Sequence, residues 1–263
     1  MSSAMEALVE VRGLVKEYAG RHVVDNVSFA IRRGETLGLV GESGSGKSTV
    51  ARMLLRLIEP TAGEVTFTGR DLLNADAQQM RELRRRMQIV FQDPFAALNP
   101  RMRVQDILAE PFVIHQEKPP EGLPRRLAEM LRTVGMDETA LNRFPHEFSG
   151  GQRQRINIAR ALALKPEFLV LDEPVSALDV SVGAQVINLL RELQRKHGLT
   201  YLFISHSMPL VRYLCDRVAV MQRGKLVELG DSKQVCDAPQ EEYTRRLIDA
   251  TPEMPEAVNP LKH

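Results

Sequence analysis

The 263-residue sequence predicts an α/β protein on a mixed, largely parallel sheet, and three observations lead there. Short apolar runs alternate with longer helical patterns along most of the chain. Residues 36–40, 168–171 and 200–204 are near-continuous apolar stretches, as strands covered on both faces must be. Between the last two, Val186, Leu189, Leu190 and Leu193 recur at i, i+3, i+4 and i+7. That spacing makes the connection an amphipathic helix and the unit a right-handed crossover.

The elements follow in order. Residues 8–11, 23–31 and 64–67 alternate like strands of a smaller antiparallel sheet. The strand over 36–40 is entered through the Arg33-Gly34 turn and left through a glycine-rich loop, which opens a helix over 49–57. From about Asp93 to Leu164 strand signals are few and helical ones several, so a helical lobe is inserted into the core. Its last helix starts at Gly150 and runs through Leu164, where Lys165-Pro166 ends it. Residues 218–221 and 225–229 flank Arg223-Gly224 as a hairpin. The expected division is one domain over 1–250, with a core of about 1–92 and 166–232 and a lobe of about 93–165. The proline-containing tail 251–263 is expected to be flexible.

Composition narrows the function. Lys and Arg total 35 against 34 Asp and Glu, so no global field for nucleic acid exists. The dense basic run Arg81, Arg84, Arg85, Arg86 reads as a solvated helix face. The longest interval without a charged residue, 197–211, carries two histidines and Pro209, and is no bilayer helix. The N-terminus lacks the basic start and apolar run of a signal peptide. Cys215 and Cys236 have no metal-ligand spacing and read as reduced cytosolic thiols.

Chemistry enters at Gly41, Glu42, Ser43, Gly44, Ser45, Gly46, Lys47, Ser48 and Thr49, which fit G-x-x-x-x-G-K-[ST]. A polyphosphate needs several backbone N–H groups converging on it, and glycines let the chain curl that tightly. The following helix adds its positive end. Lys47 is expected to reach the β- and γ-phosphates of ATP, and the Ser48 hydroxyl to ligate Mg²⁺. The apolar run 168–171 ends in Asp172 and Glu173, at the strand end where open α/β sheets bind ligands. Asp172 there suits Mg²⁺ held through water, and Glu173 suits polarising the attacking water.

Phe148-Ser149-Gly150-Gly151-Gln152 resembles the signature of ABC (ATP-binding cassette) ATPases, with Phe in place of the usual Leu. Physically it is a second anion site: Ser149 caps a helix whose first N–H groups Gly150 and Gly151 expose. The resemblance implies further roles in chain order. Tyr18 is similar to the aromatic that stacks on adenine. Gln92 is similar to the glutamine that joins core to lobe and senses Mg²⁺ and water. Ser176-Ala177-Leu178-Asp179 is similar to the loop crossing the dimer interface, and His206 to the histidine at the γ-phosphate. Family membership further implies two cassettes packed head to tail, each ATP meeting the phosphate loop of one and Ser149, Gly150, Gly151 and Gln152 of the other.

Residues 91–102, 145–155 and 172–181 narrow the resemblance to oligopeptide, dipeptide and nickel importer ATPases. This implies an ATPase peripheral to the cytoplasmic face of a bacterial inner membrane. Its partners would be integral permease subunits, a second ATPase subunit and, indirectly, a solute-binding protein, with no nucleic acid. Two departures leave the cargo open: the family's His-Pro-Tyr-Thr is Glu241-Glu242-Tyr243-Thr244 here, and the longer cysteine-containing tail of many members is absent. A permease is expected to dock near Gln92 and 93–102, on exposed Phe95 and Leu98. The alternatives are a non-transport ABC ATPase acting on nucleic acid or ribosomes, and a small-molecule kinase with the same phosphate loop.

Overall fold

The computed structural model describes residues 6–250. The expected tail, 251–263, lies outside them.

The chain begins with β1 (Ala7–Tyr18), β2 (Arg21–Arg32) and β3 (Thr36–Val40), followed by α1 (Lys47–Leu54), β4 (Ala62–Phe67) and β5 (Arg70–Asp71). Then come α2 (Ala77–Arg86), β6 (Met87–Val90), α3 (Pro94–Ala97), α4 (Val104–His115), α5 (Leu123–Thr133) and α6 (Gly150–Ala161). The chain returns through β7 (Phe168–Asp172), α7 (Val180–His197), β8 (Thr200–Ser205) and α8 (Met208–Leu214). It closes with β9 (Arg217–Gln222), β10 (Lys225–Asp231), α9 (Ser232–Asp237) and α10 (Glu242–Asp249).

Two sheets result. One is four-stranded, antiparallel, ordered β2-β1-β4-β5; the other is six-stranded, ordered β10-β9-β3-β8-β7-β6. All neighbours in the larger sheet run parallel except the β9–β10 hairpin. Every residue of β3, β7 and β8 is buried, which is why these strands read as continuous apolar runs. Alternate side chains feed two cores. Leu37, Leu39, Phe168, Val170, Leu202 and Ile204 pack toward the antiparallel sheet and α1. Leu169, Leu171, Tyr201 and Phe203 pack with α7, α8 and the helices between β6 and β7. No strand interrupts 94–161, and Val104, Ile107, Leu108, Leu127, Leu131 and Ile156 fill that helical region.

Three readings of the sequence need correcting. The helix after the glycine-rich loop starts at Lys47 and ends at Leu54, because Arg56 turns the chain with φ +47°. Likewise α6 stops at Ala161, short of 164, and Lys165 takes φ +53° before Pro166. Leu98 is 1% exposed, so it fills the lobe rather than a docking surface, whereas Phe95 is 56% exposed. The arginines of α2 do form the expected solvated face, with Arg81 and Arg84 exposed, and each also has a partner elsewhere in the chain. Arg81 donates to Ile114 O, Arg84 to Arg56 O, Arg85 pairs with Glu117, and Arg86 pairs with Glu167 at 2.5 Å. Their charge is used to bolt α2 to α4, the segment after it and the base of β7.

Candidate functional site

Strand register sets the site. Val40 stands opposite Ser205, Asp172 opposite Ile204, and Leu171 opposite Val90. The loop after β3, Glu173, His206 and Gln92 therefore leave the sheet along one edge. They border a cleft of about 580 Å³, lined also by Val23, Ser43, Gly44, Gly46, Lys47, Ser48 and Thr49.

The loop can take this path only with glycine at two points. At Gly41, φ +149°, a Cβ would come within 2.2 Å of Met221 O. At Gly46, φ +105°, it would come within 2.6 Å of Val23 O. Any other residue would push the loop off the strands that support it. Two outside contacts hold the curl: Gly224 N–H donates to Ser45 O at 3.0 Å, and Glu42 N–H to Tyr243 Oη at 3.2 Å.

Lys47 Nζ donates to Gly41 O and Glu42 O, both at 2.8 Å. Its burial lowers the ammonium pKa, while the charges of Glu173, Asp172 and Glu42 raise it. The lysine thus ties the loop to itself while still lining the cleft.

Ser48 Oγ donates to Asp172 Oδ1 at 2.9 Å. Asp172 is 6% exposed, and burial pushes its carboxyl above the usual range, partly offset by the Ser48 hydrogen bond. Among the described residues no three His, Cys, Asp or Glu side chains group as a metal centre. A hydroxyl, one carboxylate and an amide at a cleft mouth are instead the hard oxygen donors that Mg²⁺ takes together with phosphate oxygens and water. The residues present fit that cation.

Glu173 has φ +47°, a left-handed backbone that costs a non-glycine residue ~1–3 kcal/mol. Its N–H donates to Ile204 O at 3.0 Å, and Ser176 Oγ donates to its carbonyl at 3.1 Å. The turn aims the side chain at the cleft. There Gln92 Nε2 donates to Glu173 Oε2 at 3.2 Å, and His206 Nδ1 lies 3.3 Å from the same oxygen.

Other expected residues stand apart. Tyr18 ends β1, 48% exposed, with Lys16 Nζ over its ring at 4.9 Å, and it does not line the cleft. Ser149 caps α6: its Oγ accepts from Gln152 N at 3.4 Å, and its N–H donates to Gln152 Oε1 at 3.0 Å. Gly151 lies so close to α7 that a Cβ would meet Val182 Cγ1 at 2.3 Å. Asp179 caps α7 from an exposed position without a side-chain bond. None of Ser149, Gly150, Gly151, Gln152 or Asp179 lines the cleft. Sequence reasoning missed Val23 and Tyr243. Nothing in the sequence signals Val23, and Tyr243 was visible only as part of a departure from a family pattern.

A phosphate loop, an acid pair at the adjoining strand end and a capped Ser-Gly-Gly-Gln helix define an ATP-binding cassette. Residues 24–176 match the ABC transporter family, and the chain belongs to that family as an ATPase. It is 53% identical over 249 residues to a putative peptide import ATP-binding protein of Brucella ovis, covering 93% of this chain and 78% of that one. It is 51% identical over 253 residues to the oligopeptide transport ATP-binding protein OppF of Bacillus subtilis, covering 94% and 83%. A solved cassette from Clostridium perfringens, part of the ABC transporter complex cbiONQ, superposes with TM-score 0.79 at 29% identity, over 88% of this chain and 90% of that one. A dimeric ATP-binding cassette in a post-hydrolysis state, bound to ADP and Pi, gives TM-score 0.76 at 28% identity, over 85% and 98%.

Proposed function

We propose that the chain is the ATP-hydrolysing subunit of a bacterial importer for oligopeptides, dipeptides or a similar small solute. The observation that carries the chemistry is the convergence of Gln92 and His206 on one oxygen of Glu173 at the mouth of the phosphate loop. The names of the relatives carry the cargo.

In this reading the N–H groups of 41–49 cradle the phosphates, and Lys47 exchanges its loop carbonyls for β- and γ-phosphate oxygens. Ser48, Asp172 and Gln92 would hold Mg²⁺, which when bound neutralises phosphate charge. The positive charge would favour the ionised form of Asp172 that burial disfavours. Glu173 orients and polarises the attacking water, with Gln92 and His206 fixing the carboxylate. His206 is also the group for the γ-phosphate, and Tyr18 the platform for adenine. Two cassettes complete each other: Ser149, Gly150, Gly151 and Gln152 of one face the nucleotide of the other, and Asp179 lies at their junction. The dimeric cassette with ADP and Pi supports a two-cassette assembly.

We assign the helical lobe, about 93–165, to the permease side, with docking around Phe95 and the exposed Ala96. No helix among the described residues is long and apolar enough to cross a membrane, so the reading places the chain peripherally on integral permease subunits. The location is the cytoplasmic face of the inner membrane, and a solute-binding protein delivers the cargo to the permease. Two of the four α2 arginines, Arg85 and Arg86, are paired with carboxylates, which argues against nucleic acid as the partner.

Glu173→Gln tests the chemistry. It is expected to retain ATP binding, hydrolyse at least ~100-fold more slowly and accumulate as an ATP-bound dimer on a sizing column. Undiminished turnover removes Glu173 from the role.

A further inference from the structure

The segment that follows Gln92 and the helix that carries Ser149 are gripped together by side chains with no part in the site described above. Arg160 sits on α6, half-buried, and its Nη1 donates to Ala97 O of α3 at 2.7 Å. Its Nη2 donates to Asn157 Oδ1 at 3.0 Å, and Asn157 Nδ2 reaches Gln154 Oε1 at 3.5 Å. Residues 154, 157 and 160 are three apart, so the ladder runs along one face of α6 toward its first turn. There Arg153 takes over. Its guanidinium carbon lies 3.9 Å from the centre of the Phe95 ring, and its Nε donates to Pro145 O at 2.7 Å. Arg153 thus joins α3 to the turn that leads into Ser149.

Ladder and cation–π contact fasten α3 to α6 at two points, Ala97 and Phe95. The span from Arg160 to Gly150 is about 15 Å of helix, which moves as a rod. A shift of α3 therefore has to carry the Ser149 end of α6 with it. The ladder is also incomplete at its upper end: Gln154 is 0% exposed, and its Nε2 has no hydrogen-bond partner among the described residues. A buried donor left open in one arrangement favours any other that supplies an acceptor.

We propose that Arg153, Asn157 and Arg160 are positioning residues that set the Ser149 end of α6, and so the half-site offered to the partner cassette, by the placement of α3. The inference rests on the reading that Ser149, Gly150 and Gly151 act on the partner's nucleotide.

The experiment is made in the Glu173→Gln chain, whose ATP-induced dimerisation checks that underlying reading first. Arg160→Gln is then added, and binding of a fluorescent ATP analogue to the monomer is measured beside ATP-induced dimerisation by light scattering. The expected result is monomer affinity within ~2-fold of the parent and dimerisation requiring at least ~10-fold more protein, as for loss of a charged hydrogen bond. Arg153→Lys keeps the charge but loses the flat guanidinium over Phe95, and is expected to shift dimerisation in the same direction by less. Dimerisation unchanged in both variants overturns the proposal. So does a parallel fall of monomer affinity and melting temperature with dimerisation, because that marks a purely structural role.

Discussion

The chain carries two loops built for anions, and they differ in how complete they are. The loop over 41–49 is curled against Val23 and Met221, tied down by Gly224 and Tyr243, and faced by Lys47, Asp172, Glu173, Gln92 and His206. The loop at 149–152 has its own cap and its own helix, yet it stands outside that cleft. Both use the same physics, N–H groups at a helix start freed by glycine. Only one is provided with a lysine, a hydroxyl bonded to a buried carboxylate and a second acid beside them. The difference favours the proposal that a single cassette binds nucleotide with its first loop and that its second loop works on a ligand held by another chain.

Breaking the two loops separately gives the largest contrast. Ser149→Arg puts bulk and charge at an exposed cap, so turnover should fall at least ~100-fold while monomer ATP affinity stays within ~2-fold; steady-state hydrolysis and equilibrium binding read the two. Lys47→Ala removes the cation at the phosphates, and monomer affinity should fall at least ~10-fold by titration calorimetry.

A smaller effect separates function from stability inside the first loop. Burial raises the carboxyl pKa of Asp172, so between its unfolded and folded values the native state binds more protons. Its contribution to stability therefore falls as pH rises through that window, and above it the buried charge is a cost. Asp172→Asn keeps an acceptor for Ser48 and should raise the melting temperature of the nucleotide-free chain at pH 7 by ~2–4 °C while abolishing Mg²⁺-dependent hydrolysis. The smallest effect belongs to Tyr243→Phe. Losing one neutral acceptor behind the loop should raise the ATP KM about fivefold, with kcat little changed.

Much of this comparison was legible in the sequence because both loops are local. Glycine spacing, a lysine, and Asp172-Glu173 after four apolar residues are patterns within a few positions. The buried strands were legible for the same reason. What escaped depends on distant partners or on backbone that no residue type announces. Tyr243 lies 201 residues from Glu42, and Arg160 lies 63 from Ala97, so neither contact has a local signature. The helix ends at Leu54 and Ala161 were overshot because Arg56 and Lys165, not glycines, take the left-handed turns. β1 runs on to Tyr18 through Gly13 and several charged residues, with register shifts that blur its alternation. The α2 arginines are solvated as the run suggests, but their carbonyl and carboxylate partners elsewhere in the chain cannot be seen from the run itself.

The central claim, that each nucleotide is served by the phosphate loop of one chain and Ser149 of another, has a direct test by mixing. A Lys47→Ala chain and a differently tagged Ser149→Arg chain are combined, and the mixed dimer is isolated through both tags. One of its two sites then joins an intact phosphate loop to an intact 149–152 loop from the other chain. The account predicts ATP hydrolysis in the mixed dimer well above that of either parent alone. Mixed dimers that form but hydrolyse no faster than the parents would contradict it.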